Sequence, residues 1–269
     1  MQAGYYNSAA GMVVQFNRLD NIANNLANVN TNGFKQDDLV VGDFMRIYKE
    51  ARDELENPNQ TKEAAKFLNR TLTKAPQVVD EFTTHTVGGM QKTGNTLDFA
   101  LSREGLFFMV KTPEGVKLTR DGSFTKDDEG NLVTKQGYQV LSKSGENITF
   151  AAEDTVLNVD KNGQFSTNTP GSLAQVQNEK LFVANPDNLS MLKKTGDNLY
   201  DYPSVSKLKS LDDNGAVVQG FVEKSNVNAV KMMTNMIETN RLVGMYQKAM
   251  QVQMDDMNSD AINKIASTK

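Results

Sequence analysis

The sequence predicts an α+β fold: long N- and C-terminal coiled-coil-like helices packed together, with a central antiparallel β domain between them. Three observations carry this expectation. Tyr5, Ala9, Met12, Phe16, Leu19, Ala23 and Leu26 are spaced by alternating steps of four and three residues. Met232, Met236, Thr239, Val243, Tyr246, Met250, Gln253 and Met257 repeat that spacing near the other terminus. Between them, from Thr93 to Tyr202, the apolar period falls to two and turn residues recur every eight to twelve positions. A helix with one apolar stripe has to bury it, against the other terminal helix or against another copy of the chain. The chain therefore divides into a terminal helical part (1–35 with 225–269), a connector (36–92 with 203–224) and a central β domain (93–202).

The first helix is expected from Gly4 to Val29, ending where Asn32-Gly33 supplies a left-handed stop. Its polar side carries Asn17, Asn21, Asn24, Asn25 and Asn28. Asparagine is a mediocre helix former whose amide both donates and accepts, so a cluster of this kind points to a packed polar contact more than to a solvated face. Short charged helices are expected at 43–56 and 61–73, separated by Asn57-Pro58-Asn59, and a strand at 77–87 before Gly88-Gly89. In the β domain, runs such as Leu106-Phe107-Phe108-Met109-Val110 alternate with Gly-containing turns. The segment 126–134 echoes 159–167, which reads as repeated hairpin chemistry, not a true repeat. A last strand is expected at 217–222. Ser225 or Asn226 is expected to cap a second helix running from Val227 to Ala266, roughly 60 Å long at 1.5 Å per residue. Its seven methionines from Met232 to Met257 are flexible gap-fillers that suit either ordinary packing or an adaptable partner surface.

Composition narrows the function. The formal net charge is −4 and the pI is about 5.2, with lysine and arginine scattered, which argues against nucleic acid as a partner. Cysteine is absent, so disulfides and thiolate chemistry are excluded. No apolar run reaches the roughly 18 to 20 residues of a membrane span, and the N-terminus lacks the pattern of a cleaved signal. Neither a phosphate-binding loop nor a dinucleotide fingerprint is present. His85 is the only histidine and reads as structural or exposed. Asn158, Asp160, Asn162 and Gly163 imitate the start of a calcium loop, but Thr169 stands where the bidentate glutamate is needed. Asp127-Asp128-Glu129 and Asp212-Asp213 sit in polar turns, without the apolar surroundings that would raise one carboxyl for acid–base work. Neither an enzyme nor a cofactor is expected.

Several segments resemble the flagellar axial proteins of bacteria, and specifically the basal-body rod class, FlgF and FlgG. The run Leu19-Asp20-Asn21-Ile22-Ala23-Asn24-Asn25-Leu26-Ala27-Asn28-Val29-Asn30-Thr31-Asn32-Gly33-Phe34-Lys35 is similar to the N-terminal signature shared by rod, hook and hook-associated proteins. Thr93 to Leu101, Gly105 to Phe108, Leu118 to Phe124 and Gly130 to Val133 resemble the family's β domain, and Gln219 to Asn228 its entry into the last helix. The connector from Gln36 to Gly89 lacks the Gly-rich stretch of the distal-rod class and tilts the reading toward a FlgF-like proximal rod. Hook-type or hook-associated proteins carry the same terminal motifs and are the alternative, although hook proteins usually hold extra outer domains. The resemblance implies a structural subunit that passes unfolded and uncleaved through the flagellar type III export apparatus. It implies polymerisation in the periplasm into a hollow, torque-bearing tube. The implied partners are copies of the chain, other rod and hook subunits and the rings around the rod, with no nucleic acid and no membrane insertion. The assembly positions expected on this basis are Tyr5, Met12, Phe16, Leu19, Asn21, Asn24, Asn25, Leu26, Asn28 and Phe34, with Met232, Met236, Val243, Tyr246, Met250 and Met257.

Overall fold

Helical periodicity at both ends becomes two long helices in the computed structural model, which describes residues 2–43, 76–150, 156–168, 180–205, 208, 210 and 215–266. Helix α1 spans Gln2–Ala27 and helix α2 spans Ala229–Ala266. They form one of two compact units together with strands β1 (Asp37–Asp43) and β2 (Pro76–Thr83), which pair with each other. Gly4 lies against Gln253, and Gly11 against the ring of Tyr246. Residues seven apart on α1 thus meet residues seven apart on α2 in reverse order, so the helices are antiparallel. On that register α1 begins at Gln2 opposite Asp255, and the last residues of α2 extend past it by about 16 Å at 1.5 Å per residue. The helices expected at 43–56 and 61–73 fall on residues 44–75, outside the described residues, as do Asp212 and Asp213.

Both helices depart slightly from their expected ends. Helix α1 stops at Ala27, and the chain leaves through two turns, closed by Thr31 N on the Asn28 carbonyl and Phe34 N on the Thr31 carbonyl, with Gly33 in the second at φ +69°. The cap of α2 is Asn228, whose Oδ1 accepts from Lys231 N at 3.1 Å. Ser225 and Asn226 are unavailable for that job. The Ser225 hydroxyl accepts from Val227 N, and the Asn226 amide accepts from Gln36 N at 2.8 Å and donates to the Thr84 carbonyl at 2.8 Å.

The second unit holds residues 28–36 and 83–227. Its strands are β3 (Met90–Lys92), β4 (Phe99–Leu101), β5 (Phe107–Thr112), β6 (Gly115–Thr119), β7 (Phe124–Lys126), β8 (Leu132–Thr134), β9 (Gln139–Val140), β10 (Val156–Val159), β11 (Phe165–Asn168), β12 (Val183–Ala184), β13 (Lys193–Lys194), β14 (Leu199–Asp201), β15 (Val217–Gln219) and β16 (Phe221–Glu223). The main sheet is antiparallel, in the order β13-β14-β6-β5-β9-β8-β7, with β12 also on β5. Strand β5 is apolar in both phases of its alternation, because both of its faces are covered. Phe108 and Val110 enter a large core with Phe99, Phe124, Leu132, Phe165 and Leu181. Phe107 and Met109 enter a smaller one with Leu118 and Tyr200. The expected strand at 217–222 is in fact two, β15 on β4 and β16 on β3. Gly220 separates them at φ +76°, a conformation that breaks a strand.

The internal echo is loop chemistry, and among the described residues it occurs four times. In 127–131, 134–138, 142–146 and 160–164 the first residue's N–H donates to the fifth residue's carbonyl. The N–H of the fourth residue, always glycine at φ between +81° and +88°, donates back to the first residue's carbonyl. This is the three-residue hairpin loop with a left-handed glycine. Asp127 and Asp160 add a carboxylate that accepts two backbone N–H groups each, so these acids are turn builders.

Hydrogen bonding from the Asn131 side chain, chief among several donors, holds the Asp127 carboxyl below its ordinary value. A depressed acid stabilises the fold above its unfolded pKa, and that stabilisation is lost as pH falls through the lower folded value. Asn131→Ala is expected to move the Asp127 pKa upward in an NMR titration; an unchanged midpoint would show that Asn131 does not set it.

Candidate assembly interface

The α2 stripe read from spacing faces inward along its whole length. Met232, Thr239 and Val243 are buried, and Met236, Tyr246, Met250, Gln253 and Met257 are half-buried. Thr239 tolerates burial because its hydroxyl donates to the Asn235 carbonyl of its own helix at 2.7 Å.

Helix α1 behaves differently. Its buried residues are Gly11, Val14, Ile22 and Asn25, a face turned by roughly a third of a turn from the heptad stripe. Of that stripe, Tyr5, Ala9, Met12, Leu19 and Leu26 are half-buried, Ala23 is exposed, and Phe16 is 44% exposed. The reason is close approach. A Cβ at Gly11 would lie 2.6 Å from the Tyr246 ring, and one at Gly4 would lie 2.9 Å from the Gln253 amide. Two glycines seven residues apart in a helix cost stability unless something packs on the bare backbone. That was the legible signal for the inward face. Asn7, Gln15 and Gln253 each keep a buried amide oxygen without a protein partner.

Large apolar side chains consequently remain outside on both helices: Tyr6, Val13 and Phe16 on α1, and Val230, Met233, Ile237, Met245, Val252 and Ile262 on α2. Ile237 and Val252 are 62% and 60% exposed. Scattered exposed apolar residues are ordinary, but these two helices carry many of them outside the seam between them.

The asparagines divide into two roles. Asn25, 1% exposed, grips the start of β1 from α1. Its Nδ2 donates to the Asp37 carbonyl at 2.7 Å and to Asn21 Oδ1 at 3.0 Å, and its Oδ1 accepts from Asp37 N at 3.0 Å. Asn28 accepts from the Thr31 hydroxyl in the exit turn, while Asn17 and Asn24 face solvent. Phe34 is buried in the second unit, its ring 4.1 Å from the Lys194 ammonium. A cleft of about 270 Å³ lies in the helical unit beside Asn21, lined by Arg18, Ile22, Leu39, Val41 and Met232. His85 packs edge-on to Phe107 and near Tyr200.

Spacing gave no hint of the ion cluster inside the second unit. Lys35, Arg120 and Glu223 are each 1–2% exposed. Glu223 Oε1 accepts from Lys35 Nζ at 2.5 Å and from Gly88 N at 2.8 Å, and Oε2 accepts from Arg120 Nε at 2.5 Å. The remaining Arg120 donors reach the carbonyls of Leu106, Leu101 and Arg103, and Lys35 also reaches that of Thr86. Burial pushes the Lys35 pKa down, and attraction to Glu223 opposes the shift. The cluster is saturated with partners, which is structural chemistry and not a poised catalytic group. Its three members come from the end of the N-terminal signature, the 118–124 motif and the 219–228 motif.

The helical unit is thus an antiparallel pair of terminal helices with apolar surface outside its seam, and the β unit closes around a buried ion cluster. Residues 6–35 match the family described as flagella basal body rod protein, 104–167 the flagellar hook protein FlgE/F/G D1 domain, and 218–264 the flagellar basal body rod FlgEFG protein C-terminal. The chain is 34% identical over 240 residues to a flagellar basal-body rod protein FlgG of Buchnera aphidicola, covering 87% of this chain and 89% of the relative. It is 34% identical over 223 residues to a FlgF of Caulobacter vibrioides (83% and 82% covered) and 30% identical over 257 residues to a FlgG of Bacillus subtilis (90% and 91% covered). The chain belongs to the flagellar basal-body rod proteins of the FlgF/FlgG class, and is a structural, non-enzymatic component of the rod.

Asn25→Ala deletes both hydrogen bonds to Asp37 and strands one buried donor and one acceptor, a loss of about 1–3 kcal/mol. Chemical denaturation should register that decrease, with faster hydrogen exchange at the Asp37 amide; unaltered exchange there would show that Asn25 does not hold β1.

Proposed function

We propose that this chain polymerises through its terminal helices into the hollow drive shaft that carries torque from the motor to the hook. The observation that carries the reading is the split of apolar surface. One face of each helix is used inside the subunit, and a second remains exposed on α1 at Tyr6, Val13 and Phe16 and on α2 at Ile237, Met245 and Val252. In a lattice these faces, with the half-buried Tyr5, Met12, Leu19 and Leu26 and the exposed Asn24, are covered by neighbouring subunits. Each Phe- or Leu-sized side chain so covered contributes roughly 1.5–3 kcal/mol. Met232, Met236, Val243, Tyr246, Met250 and Met257 hold α2 against α1. Asn21, Asn25, Asn28 and Phe34 act from within, fixing the exit from α1.

The neighbours are copies of this chain and other axial proteins of the rod and hook, with the ring proteins around them in the periplasm. The chain reaches that compartment through the flagellar type III export apparatus without cleavage, and its terminal helices gain order as they assemble. Within the class we place it in the proximal, FlgF-like tier. The support is the connector from Gln36 to Gly89, which holds glycine only at 42, 88 and 89.

Phe16→Asp tests the assembly reading, because it puts a charge on the exposed face while sparing the α1–α2 seam. Circular dichroism of the monomer should be unchanged, and rods seen by electron microscopy should fail to form at the wild-type concentration. Normal rods from this variant would remove α1's outer face from the interface.

A further inference from the structure

The second unit buries two cations whose shared carboxylate partner arrives late in the chain. Lys35 and Arg120 place two cations in its interior, and Glu223 is the buried carboxylate that touches both. Removing an ion from water costs several kcal/mol even after relaxation, and an unpaired buried charge is worse than no pair at all. The segment bearing Glu223 also closes the unit mechanically. Ser102 N donates to the Ala216 carbonyl, Val217 N to the Lys161 carbonyl, Gly220 N to the Asp98 carbonyl and Gly33 N to the Glu223 carbonyl, at 2.7–3.1 Å. Ala216, Val217 and Val222 are buried. Pieces of the unit at 33–35, 98–102, 120 and 161 therefore all meet through residues 216–223.

We infer that residues 216–223 are a folding latch. A chain that emerges N-terminus first presents every strand from β3 to β14 before Glu223 appears, and the unit does not close on them alone. Closure with two buried cations and no carboxylate against either is disfavoured, and the 33–35 and 98–102 segments lack their backbone partners. The β unit becomes stable only when 223 of the 269 residues are out, so the chain stays extended through most of any vectorial passage. An ordinary buried ion pair would stabilise its immediate surroundings without ordering the folding of distant strands. The latch concerns the monomer, so it stands or falls separately from the assembly reading.

Pulse-labelled hydrogen exchange during refolding of the full-length chain tests it. In the wild type, amides of β5 and β8 should gain protection in the same phase as those of Val217 and Val222; protection of β5 and β8 at least tenfold sooner would overturn the proposal. Full-length Glu223→Gln should lose about 100-fold or more of native-state protection across β5, β6 and β8, and failure of the variant to fold is the extreme of that result. A loss confined to β3 and β16 would refute it. The full-length K35M/R120M/E223M variant removes the three charges while keeping apolar bulk, and β5 and β8 should then protect ahead of β15 and β16. If they still wait for residues 216–223, the charges are not the latch.

Discussion

The interaction on which the β unit depends is the carboxylate of Glu223 held between Lys35 and Arg120. One acid gathers the end of the N-terminal signature, the turn after β6 and the strand that precedes α2. Such a cluster adds little net stability compared with an apolar core of the same volume, but it is intolerant of partial formation. Its value is therefore in specification. Gly33 shows how tight the arrangement is: a Cβ there would sit 2.4 Å from the Arg120 carbonyl carbon, and its φ of +69° already favours glycine. The three motifs that mark the family are thus one physical object in the folded chain.

The helical unit follows a different logic. Its inner seam is made by Gly11, Val14, Ile22 and Asn25 on α1 against a methionine-rich stripe on α2, with Tyr246 laid over Gly11. The bare backbone at Gly11 and Gly4 is covered by Tyr246 and Gln253, and the methionines fill the stripe between and beyond them. The more apolar stripe of α1 is displaced sideways, toward solvent. A monomer meant to stay single would turn that stripe inward. A subunit of a rod has reason to do the reverse.

Much of this was readable beforehand, and the failures have physical causes. The α2 stripe was legible because heptad spacing and apolar character coincide at Met232, Val243 and Met250. The α1 seam was not, because close approach at Gly4 and Gly11 outweighs side-chain hydropathy, and spacing arguments count apolar residues while ignoring bare backbone. The hairpins were legible from their glycines, including the echo between 126–134 and 159–167. The break at Gly220 was missed because an apolar run reads as one strand unless the left-handed residue is given weight. Asn228 was passed over as the cap because Ser225 and Asn226 look equally suitable until their tertiary partners, Gln36 and Thr84 among them, are known. Lys35, Arg120 and Glu223 are 188 residues apart at the extremes, and no local pattern announces a contact of that range.

The central claim is that the terminal helices hold two kinds of apolar surface, one finished inside the subunit and one completed only by neighbours. The chain has no cysteine, so single cysteines can report on each kind without interference. Maleimide labelling of Phe16→Cys and Val252→Cys, in monomer and in assembled rod, is the direct measurement. Both should label rapidly in the monomer and be strongly protected in the rod. Equal labelling before and after assembly would contradict the claim.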